Sequence, residues 1–219
     1  MTDSGEQGTD PERYWDGVGR QWLAHRGDEL WRRCSDAVHA LWLDHVAANL
    51  RGMRILKTDL FDEAFGDGLA GWFERRGNHV VACDLAFSTA RGAVKRRASI
   101  SAVVADIRRL PFQGGAFDCV FSDSTLDHFD EEAEIVRSFE ELDRVLRPGG
   151  ILLLTMDNPR HPLVRLRNLR PRFWQRLGVV PYAVGATCNA GRLGQLLESA
   201  GFEVRESGTI MHSPRAHSA

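Results

Sequence analysis

The sequence predicts a doubly wound α/β fold with a mostly parallel sheet, and three observations lead to that prediction. Short apolar runs alternate along the chain with segments whose apolar residues recur at helical spacing. One run, 151–156, is apolar at nearly every position, as expected for a strand that helices cover on both faces. Several of the predicted strands also end in an acidic residue. Strands that alternate with helices in this way form one parallel sheet between two helical layers.

The first predicted unit, residues 54–84, has the order strand, loop, helix and strand. Ile55 and Leu56 open the first strand, and a polar loop at 57–63 ends it. The β-rich run 79–84 then ends in the carboxylate of Asp84. In βαβ nucleotide-binding units an acid at this strand end accepts hydrogen bonds from ribose hydroxyls. The unit therefore predicts a nucleotide-like ligand whose ribose lies at Asp84.

The same alternation continues to the end of the chain and predicts seven strands in total. Beyond the first unit, the predicted helices are 88–97, 130–146 and 190–200, and the predicted strands are 101–105, 117–122, 151–156, 202–205 and 208–212.

The N-terminal part predicts a disordered tail at 1–11, followed by a helical cap at 12–50. The cap holds four of the six tryptophans, and its expected buried stripe consists of Leu30, Cys34, Ala37, Val38, Leu41, Trp42 and His45. Two interpretations stay open. The stripe docks the cap on the sheet edge, or the tryptophans line a lid over an apolar substrate.

Length and composition limit the class of protein. A chain of 219 residues with 43% hydrophobic and 26% charged residues is long enough for one substantial core, which we place at 51–219. The net charge of −2 gives no global reason to expect a nucleic-acid partner. The four cysteines are scattered, which favours reduced thiols, and no apolar run resembles a membrane span or a secretory signal. We therefore expect a cytoplasmic protein.

Polar residues recur where the predicted strands end. They are Thr58, Asp59, Asp84, Asp106, Ser122, Asp123, Asp157 and Asn158. Any one of them could cap the following helix. Their recurrence instead favours a shared ligand-binding edge, because ligands of such sheets lie across the carboxyl ends of the strands.

A set of spaced motifs gives these residues a family context. The motifs are Asp84-Leu85, Asp106-Ile107 followed by Leu110-Pro111-Phe112, Phe117-Asp118-Cys119-Val120, and Arg144-Val145-Leu146-Arg147-Pro148-Gly149-Gly150. In this order they resemble the class I S-adenosylmethionine-dependent methyltransferases over about 54–204. The resemblance implies a seven-stranded Rossmann-like sheet and S-adenosylmethionine as cofactor.

The resemblance also implies roles for individual residues. Asp84 would bind the ribose hydroxyls, and Asp106 would bind the adenine amino group. Ile107 and Leu85 would lie on the two sides of the adenine ring. Ser122 and Asp123 would lie beneath the sulfonium and its methyl group.

The first loop departs from the family pattern of alternating glycines. In 57–66 glycine occurs only at the last position. Side chains with Cβ atoms hinder a close backbone approach to the cofactor, so either the loop takes another path or binding is weakened or lost. The acids Asp59, Asp62 and Glu63 still suit the ammonium group of the cofactor, and we expect them to replace the usual contacts.

Candidate catalytic residues follow the fourth predicted strand. His128 is the leading candidate for a general base and Asp127 for the residue that orients it or acts itself. A histidine that packs or caps the adjacent helix is the alternative. A Mg²⁺ site at Asp123, Asp157 and Asn158 would resemble the metal-dependent branch of the family, although Asn158-Pro159 is equally a turn signal. We therefore include no metal ligand among the predicted site residues.

An arginine-rich insert at 159–180 separates the fifth strand from the last helix. It could attract a carboxylate or phosphate of the substrate, or it could be a solvated amphipathic face. We expect it to meet the N-terminal tryptophans across the substrate opening.

The leading hypothesis is a methyltransferase that acts on oxygen or nitrogen of a small molecule. The alternatives are a binding or scaffolding relative without turnover and the Mg²⁺-dependent O-methyltransferase. The G-x-G-x-x-G motif of nicotinamide-dependent dehydrogenases is absent.

Overall fold

The computed structural model describes residues 10–24, 29–160, 169 and 185–210. These residues form one five-stranded sheet in the order β3-β2-β1-β4-β5, and all four neighbouring pairs are parallel. The strands are β1 Arg54–Lys57, β2 His79–Asp84, β3 Ser101–Val104, β4 Phe117–Asp123 and β5 Leu146–Thr155. The predicted doubly wound, mostly parallel α/β architecture is therefore confirmed.

Seven α-helices and one short 3-10 helix, Leu126–His128, accompany the sheet in the described residues. The α-helices are α1 Pro11–Ala24, α2 Glu29–Val46, α3 Phe61–Phe65, α4 Ala70–Glu74, α5 Phe87–Arg96, α6 Glu132–Val145 and α7 Ala190–Ser199. Helix α3 was not predicted, because the polar residues of the first loop suggested irregular structure.

Alternate strand residues enter two separate apolar cores, one on each face of the sheet. Ile55 and Phe121 pack into the core beneath α2 and α4, together with Phe73. Leu56 and Val120 pack into the opposite core, beneath α6 and α7. Because side chains alternate along a strand, burial of both faces explains the continuous apolar runs in the sequence.

The expected count of seven strands is not confirmed. Residues 202–210 contain no strand, and 211–212 lie outside the described residues. Phe202 instead packs against Phe139 of α6, with ring centroids 6.4 Å apart. The residues that follow, 203–209, are exposed. The alternating pattern of 202–205 therefore reflects one buried aromatic ring rather than a strand with a hydrogen-bonded neighbour.

The stripe expected on the buried face of the cap is wrong in part. Leu30 and Leu41 are 82% and 70% exposed. The buried positions of α2 are Arg32, Ser35, His39 and Leu43. This helix faces the charged ends of the strands, so polar residues line its inner side and apolar periodicity selects the wrong face.

Two predicted segments cannot be compared with the structure. Most of the expected tail at 1–11 and nearly all of the arginine-rich insert lie outside the described residues. Within the described part of the chain, no helix is both long and apolar enough to cross a membrane.

Candidate functional site

The strand order locates a crevice at one edge of the sheet. From β1 the chain proceeds outward through β2 to β3, and it then returns to the other side of β1 with β4. The direction of winding thus reverses between β1 and β4. Ligands of doubly wound sheets lie at this switch point, outside the carboxyl ends of the strands. The expected ligand edge therefore comprises the residues after β1, β2 and β4.

Asp84 ends β2 and fixes the first loop. One carboxylate oxygen accepts the backbone N–H of Leu60 at 3.0 Å, and the other accepts that of Ala86 at 2.7 Å. Burial raises the pKa of Asp84 to about 7, and the two backbone hydrogen bonds oppose that rise. A carboxylate has about four acceptor positions, so two remain for a ligand hydroxyl pair.

Asp106 is held by the neighbouring Arg108. The guanidinium Nε donates to both carboxylate oxygens, at 2.9 and 3.0 Å, and the backbone N–H of Arg108 donates at 2.8 Å. Burial would raise the pKa of Asp106, but these bonds outweigh it and lower the pKa. Ile107 beside it is buried in the core, whereas Leu85 is half-buried.

The first loop is built on a fully buried lysine. Lys57 Nζ lies 2.7 Å from Asp59 Oδ2 and 3.0 Å from Glu63 Oε2, and it also donates to the Asp59 carbonyl at 2.8 Å. Burial of a lone ammonium lowers its pKa, but these carboxylates outweigh burial and raise the pKa of Lys57. The loop therefore contains its own counter-ions.

Glu63 and Asp62 are used differently although they are neighbours. Glu63 Oε1 accepts the backbone N–H groups of Leu69 and Ala70, each at 2.9 Å, and thereby caps the start of α4. Its contacts lie within the fold. Asp62 is half-buried, and burial together with the charge of Asp59 raises its pKa.

Helix α3 replaces the glycine turn expected of the family and is held by the cap. The Arg32 guanidinium carbon of α2 lies 4.8 Å from the Trp22 ring, 5.7 Å from Phe61 and 5.4 Å from Phe65. Cation–π contacts of this kind stabilise the position of α3. The loop thus takes a helical path on which residues with Cβ atoms are accommodated.

The end of β4 contains buried hydroxyls and a strained residue. Thr58 Oγ1 donates to Ser122 Oγ at 2.9 Å and lies 3.1 Å from Thr125 Oγ1. Ser124 has φ 48°, the one non-glycine residue with a positive φ in the described part of the chain. Such backbone strain concentrates at functional sites.

Asp123 at the same strand end is paired with a histidine from the cap. Its Oδ1 lies 3.3 Å from His39 Nε2 and accepts the hydroxyl of Thr155. The other ring nitrogen, His39 Nδ1, lies 2.9 Å from the Ser35 carbonyl. Burial would raise the pKa of Asp123, but His39 and Thr155 outweigh it and lower the pKa. Asp123 is therefore an ionised carboxylate whose Oδ1 contacts both His39 and Thr155.

The candidate base lies beside the cap on the 3-10 helix that follows β4. The side chain of His128 is 24% exposed, whereas that of Asp127 is 4% exposed. His128 Nε2 is 3.9 Å from Asp127 Oδ1, beyond hydrogen-bonding distance. The ring of Trp15 lies 4.6 Å from the His128 ring. The structure thus brings the predicted base and one of the N-terminal tryptophans together.

One of the predicted Mg²⁺ ligands, Asn158, makes a local turn contact in the structure. Among the described residues, no group of three or more His, Cys, Asp or Glu side chains could hold a metal ion. Asn158 Oδ1 accepts the backbone N–H of Arg160 at 3.0 Å, which is the geometry of the turn interpretation.

Sequence reasoning missed His39 and Arg32, and it did not identify the pairing of Lys57. A signal for Arg32 and His39 was available in the sequence. Together with Ser35 and Leu43 they recur every three to four residues and so lie on one face of a helix. For Lys57, the signal was a lysine at the end of a buried strand with acids two and six residues later.

Comparison with known proteins agrees with this geometry. The family model described as a methyltransferase domain matches residues 62–154. The chain is 31% identical to the demethylmenaquinone methyltransferase of Beutenbergia cavernae over 128 residues, which is 58% of this chain and 47% of that protein. Over these residues the chain is similar to methyltransferases, the enzymes that its spaced motifs resemble. The family match begins at Asp62 and so excludes the opening of the unusual first loop.

Other methyltransferases share parts of the sequence or the fold. The probable tRNA methyltransferase 9B of Homo sapiens is 33% identical over 76 residues, or 35% of this chain and 16% of that protein. A solved S-adenosylmethionine-dependent methyltransferase from Thermotoga maritima, described as a possible histamine N-methyltransferase, superposes with a TM-score of 0.58. That alignment covers 88% of this chain and 80% of the other at 19% identity. The chain spans about half or less of the first curated relatives it matches.

The residues at this edge of the sheet fit S-adenosylmethionine, the cofactor that the similarity to methyltransferases implies. Asp84 retains acceptor positions for two ribose hydroxyls. In the crevice beyond it, Asp59 and Asp123 face the cations Lys57 and His39, while burial and the charge of Asp59 raise the pKa of Asp62 to about 8. A sulfonium or ammonium group bound nearby would favour the ionised form of Asp62, so this acid-rich crevice suits a cationic ligand.

Proposed function

We propose that this protein transfers the methyl group of S-adenosylmethionine to an oxygen or nitrogen atom of a small molecule. The observation that best supports the proposal is the position of Asp84. This half-buried acid ends β2, binds the backbone of the first loop, and lies beside an acid-rich crevice at the switch point of the sheet. When bound, the cofactor supplies an electrophilic methyl group.

Each part of the cofactor has a candidate partner in this chain. Asp84 would bind the ribose hydroxyls, and Asp106 the adenine amino group. Ile107 and Leu85 supply apolar surface for the adenine ring. Asp59 and Asp62 suit the ammonium group, whereas the contacts of Glu63 with α4 reserve that residue for the fold. Ser122 and Asp123 would lie at the sulfonium.

Methyl transfer requires an aligned nucleophile and, for an alcohol or ammonium, a proton acceptor. We assign the acceptor role to His128, because it is partly exposed and follows β4. The distance of 3.9 Å between its Nε2 and Asp127 Oδ1 gives Asp127 an electrostatic rather than a hydrogen-bonding role. The Trp15 ring beside His128 would form a wall of the acceptor site.

The path of α1 supports a small molecule as the methyl-accepting substrate. The helix is hydrogen-bonded to α5 through Asp16, whose Oδ1 accepts the Ser88 N–H at 2.7 Å. It contacts α3 through Trp22 and the 3-10 helix through Trp15. The three segments that α1 contacts come directly after β2, β1 and β4, which are neighbours in the sheet. Helix α1 therefore crosses above the crevice at these strand ends and limits access to it. Water exclusion by such a cover would favour transfer.

Calorimetry with S-adenosylmethionine and S-adenosylhomocysteine, the product left after transfer, tests the proposal first. We expect both ligands to bind in the micromolar range typical of enzyme cofactors. Absence of binding at millimolar ligand would overturn the proposal. Incubation with S-adenosylmethionine and a panel of alcohols, phenols and amines would then identify the acceptor through the S-adenosylhomocysteine formed.

A binding protein without turnover is the second candidate, and the glycine-poor first loop is the observation that favours it. Residues 61–65 form a helix where the family pattern has glycines. Binding of both ligands combined with no product in any acceptor assay would favour this candidate. Turnover that persists in excess EDTA would exclude an essential Mg²⁺ at Asp157.

A further inference from the structure

His39 links the N-terminal cap to the end of β4 and has no role in the function proposed so far. It lies on α2, outside residues 62–154 that match the family model. Its side chain is 10% exposed and its Nε2 lies 3.3 Å from Asp123 Oδ1. We propose that His39 is a positioning residue whose imidazolium neutralises Asp123, and that it thereby sets the preference of the site between the charged cofactor and its neutral product. The inference rests on the proposed function.

The hydrogen-bond geometry favours a charged ring. Nδ1 faces the carbonyl oxygen of Ser35 at 2.9 Å, and Nε2 faces the carboxylate of Asp123. These two partners accept only, and the Ser35 hydroxyl, which could donate to Nδ1, lies farther away at 3.4 Å. The contacts therefore favour an N–H on both ring nitrogens, which only the imidazolium carries. Burial lowers the pKa of His39, but the hydrogen bond and charge of Asp123 outweigh it and raise the pKa to about 9.

The pair is fixed in the fold rather than formed at the surface. Asp123 lies opposite Thr155 in the β4–β5 register, and the Thr155 hydroxyl donates to the same Oδ1 that faces His39. The pair interacts electrostatically with Lys57 of β1, Asp62 of α3 and Asp36 of α2. Water cannot screen the two buried charges strongly. When one of them is removed, the other therefore interacts strongly with any charged group of a ligand nearby.

The sheet order places this pair at the transferring end of the cofactor. Asp84 lies on β2, on one side of β1, and would bind the nucleoside end of the cofactor there. A ligand that crosses the switch point then extends over β1 toward β4. The end of β4 holds Ser122 and Asp123. The sulfonium of S-adenosylmethionine would therefore lie nearer to Asp123 than its adenine does.

A lone carboxylate at this position would oppose catalysis. It would attract the sulfonium of S-adenosylmethionine but not the thioether of S-adenosylhomocysteine. Methyl transfer discharges the sulfonium, so attraction to the reactant alone stabilises the ground state more than the transition state. When His39 neutralises Asp123, the carboxylate no longer attracts S-adenosylmethionine more than S-adenosylhomocysteine. It still accepts the hydrogen bond from Thr155 and keeps its contact with α2.

The ratio of the affinities for S-adenosylmethionine and S-adenosylhomocysteine tests this charge balance, and its measurement needs no methyl-accepting substrate. Calorimetry at pH 8 measures the affinities of both ligands for the wild type, His39→Gln, and His39→Gln/Asp123→Asn. Glutamine keeps a hydrogen-bond donor and removes the charge. We expect His39→Gln to raise the ratio of S-adenosylmethionine to S-adenosylhomocysteine affinity at least about fivefold, as expected for an unscreened charge nearby. The double variant should restore the wild-type ratio.

The controls separate charge from packing. His45→Gln changes an exposed histidine of the same helix, 76% exposed, and should leave the ratio unchanged. Loss of packing at His39 would weaken both ligands equally and would not be reversed by Asp123→Asn. An unchanged ratio in His39→Gln, with both ligands bound, would overturn the inference and leave the proposed function intact. Absence of binding to the wild type would overturn the proposed function instead.

A second measurement needs no variant that might fail to fold. Nitrogen NMR of the histidine rings in the wild type at pH 8 should show one ring with both nitrogens protonated, whereas exposed histidines are neutral at this pH. Absence of such a ring would overturn the inference.

Discussion

Lys57 and Glu63 form an ion pair that is closed off from solvent, with Nζ 3.0 Å from Oε2 and side-chain exposures of 1% and 0%. The pair joins the end of β1 to the cap of α4, because Glu63 also accepts two backbone N–H groups there. The unusual first loop is thus organised by buried charges, where the family pattern uses glycines.

Replacement of the lysine should therefore strongly destabilise the fold. Lys57→Met leaves the carboxylates of Glu63 and Asp59 without their cation, and loss of one partner of a buried ion pair costs about 3–5 kcal/mol. Urea denaturation measures the free energy of unfolding. Lys95→Met, at an exposed position on α5, is the control and should change it by less than about 0.5 kcal/mol. Equal effects of the two variants would contradict the role of Lys57.

Asp84→Ala should weaken binding of S-adenosylmethionine by at least about 1.5 kcal/mol, the scale of hydrogen bonds to a charged acceptor. The variant also frees the Leu60 N–H and so loosens the first loop. Calorimetry measures the loss, and Asp143→Ala on the exposed side of α6 is the matched control. An affinity equal to that of the wild type would remove Asp84 from the cofactor site.

Binding of S-adenosylmethionine near pH 7 should release protons. The pKa of Asp84 is raised to about 7 by burial, so a fraction of the free protein carries a neutral Asp84 at this pH. Ribose hydroxyls donate to the ionised form, which shifts the equilibrium toward the carboxylate. Calorimetry in buffers of different ionisation enthalpy counts the protons. Proton uptake, or no change, would contradict the assignment.

The free energy of unfolding should fall as the pH rises from about 6.5 to 9. His39 has an ordinary pKa of 6.5 when unfolded and about 9 in the fold, so its stabilising effect is complete below 6.5 and is lost as the pH passes 9. The difference corresponds to roughly 3 kcal/mol. Unfolding of His39→Gln across the same range should lack this component, and identical pH profiles would refute it.

The sequence predicted the βαβ alternation and the acids at the strand ends, because both depend on local spacing. Asp84, Asp106 and Asp123 lie at the ends of strands or directly after them, as the apolar runs indicated. The roles of these acids required the structure. The pairing of Asp123 with His39 depends on where α2 docks, and no local pattern connects residues that are 84 positions apart.

The cap was predicted less well for a physical reason. Helical periodicity assumes that the inner face of a helix is apolar. The inner face of α2 meets charged strand ends, so Arg32 and His39 point inward and Leu30 and Leu41 outward. The strand expected at 202–205 is absent for a similar reason, since alternation in four residues does not reveal whether a neighbouring strand is present.

The measurement that tests the central claim most directly is calorimetric titration of the wild-type protein with S-adenosylmethionine. The fold, the free acceptor positions of Asp84 and the acid-rich crevice predict saturable binding at one site per chain, competed by S-adenosylhomocysteine and weakened by Asp84→Ala. No heat of binding at millimolar S-adenosylmethionine, from protein shown to be folded, would contradict it.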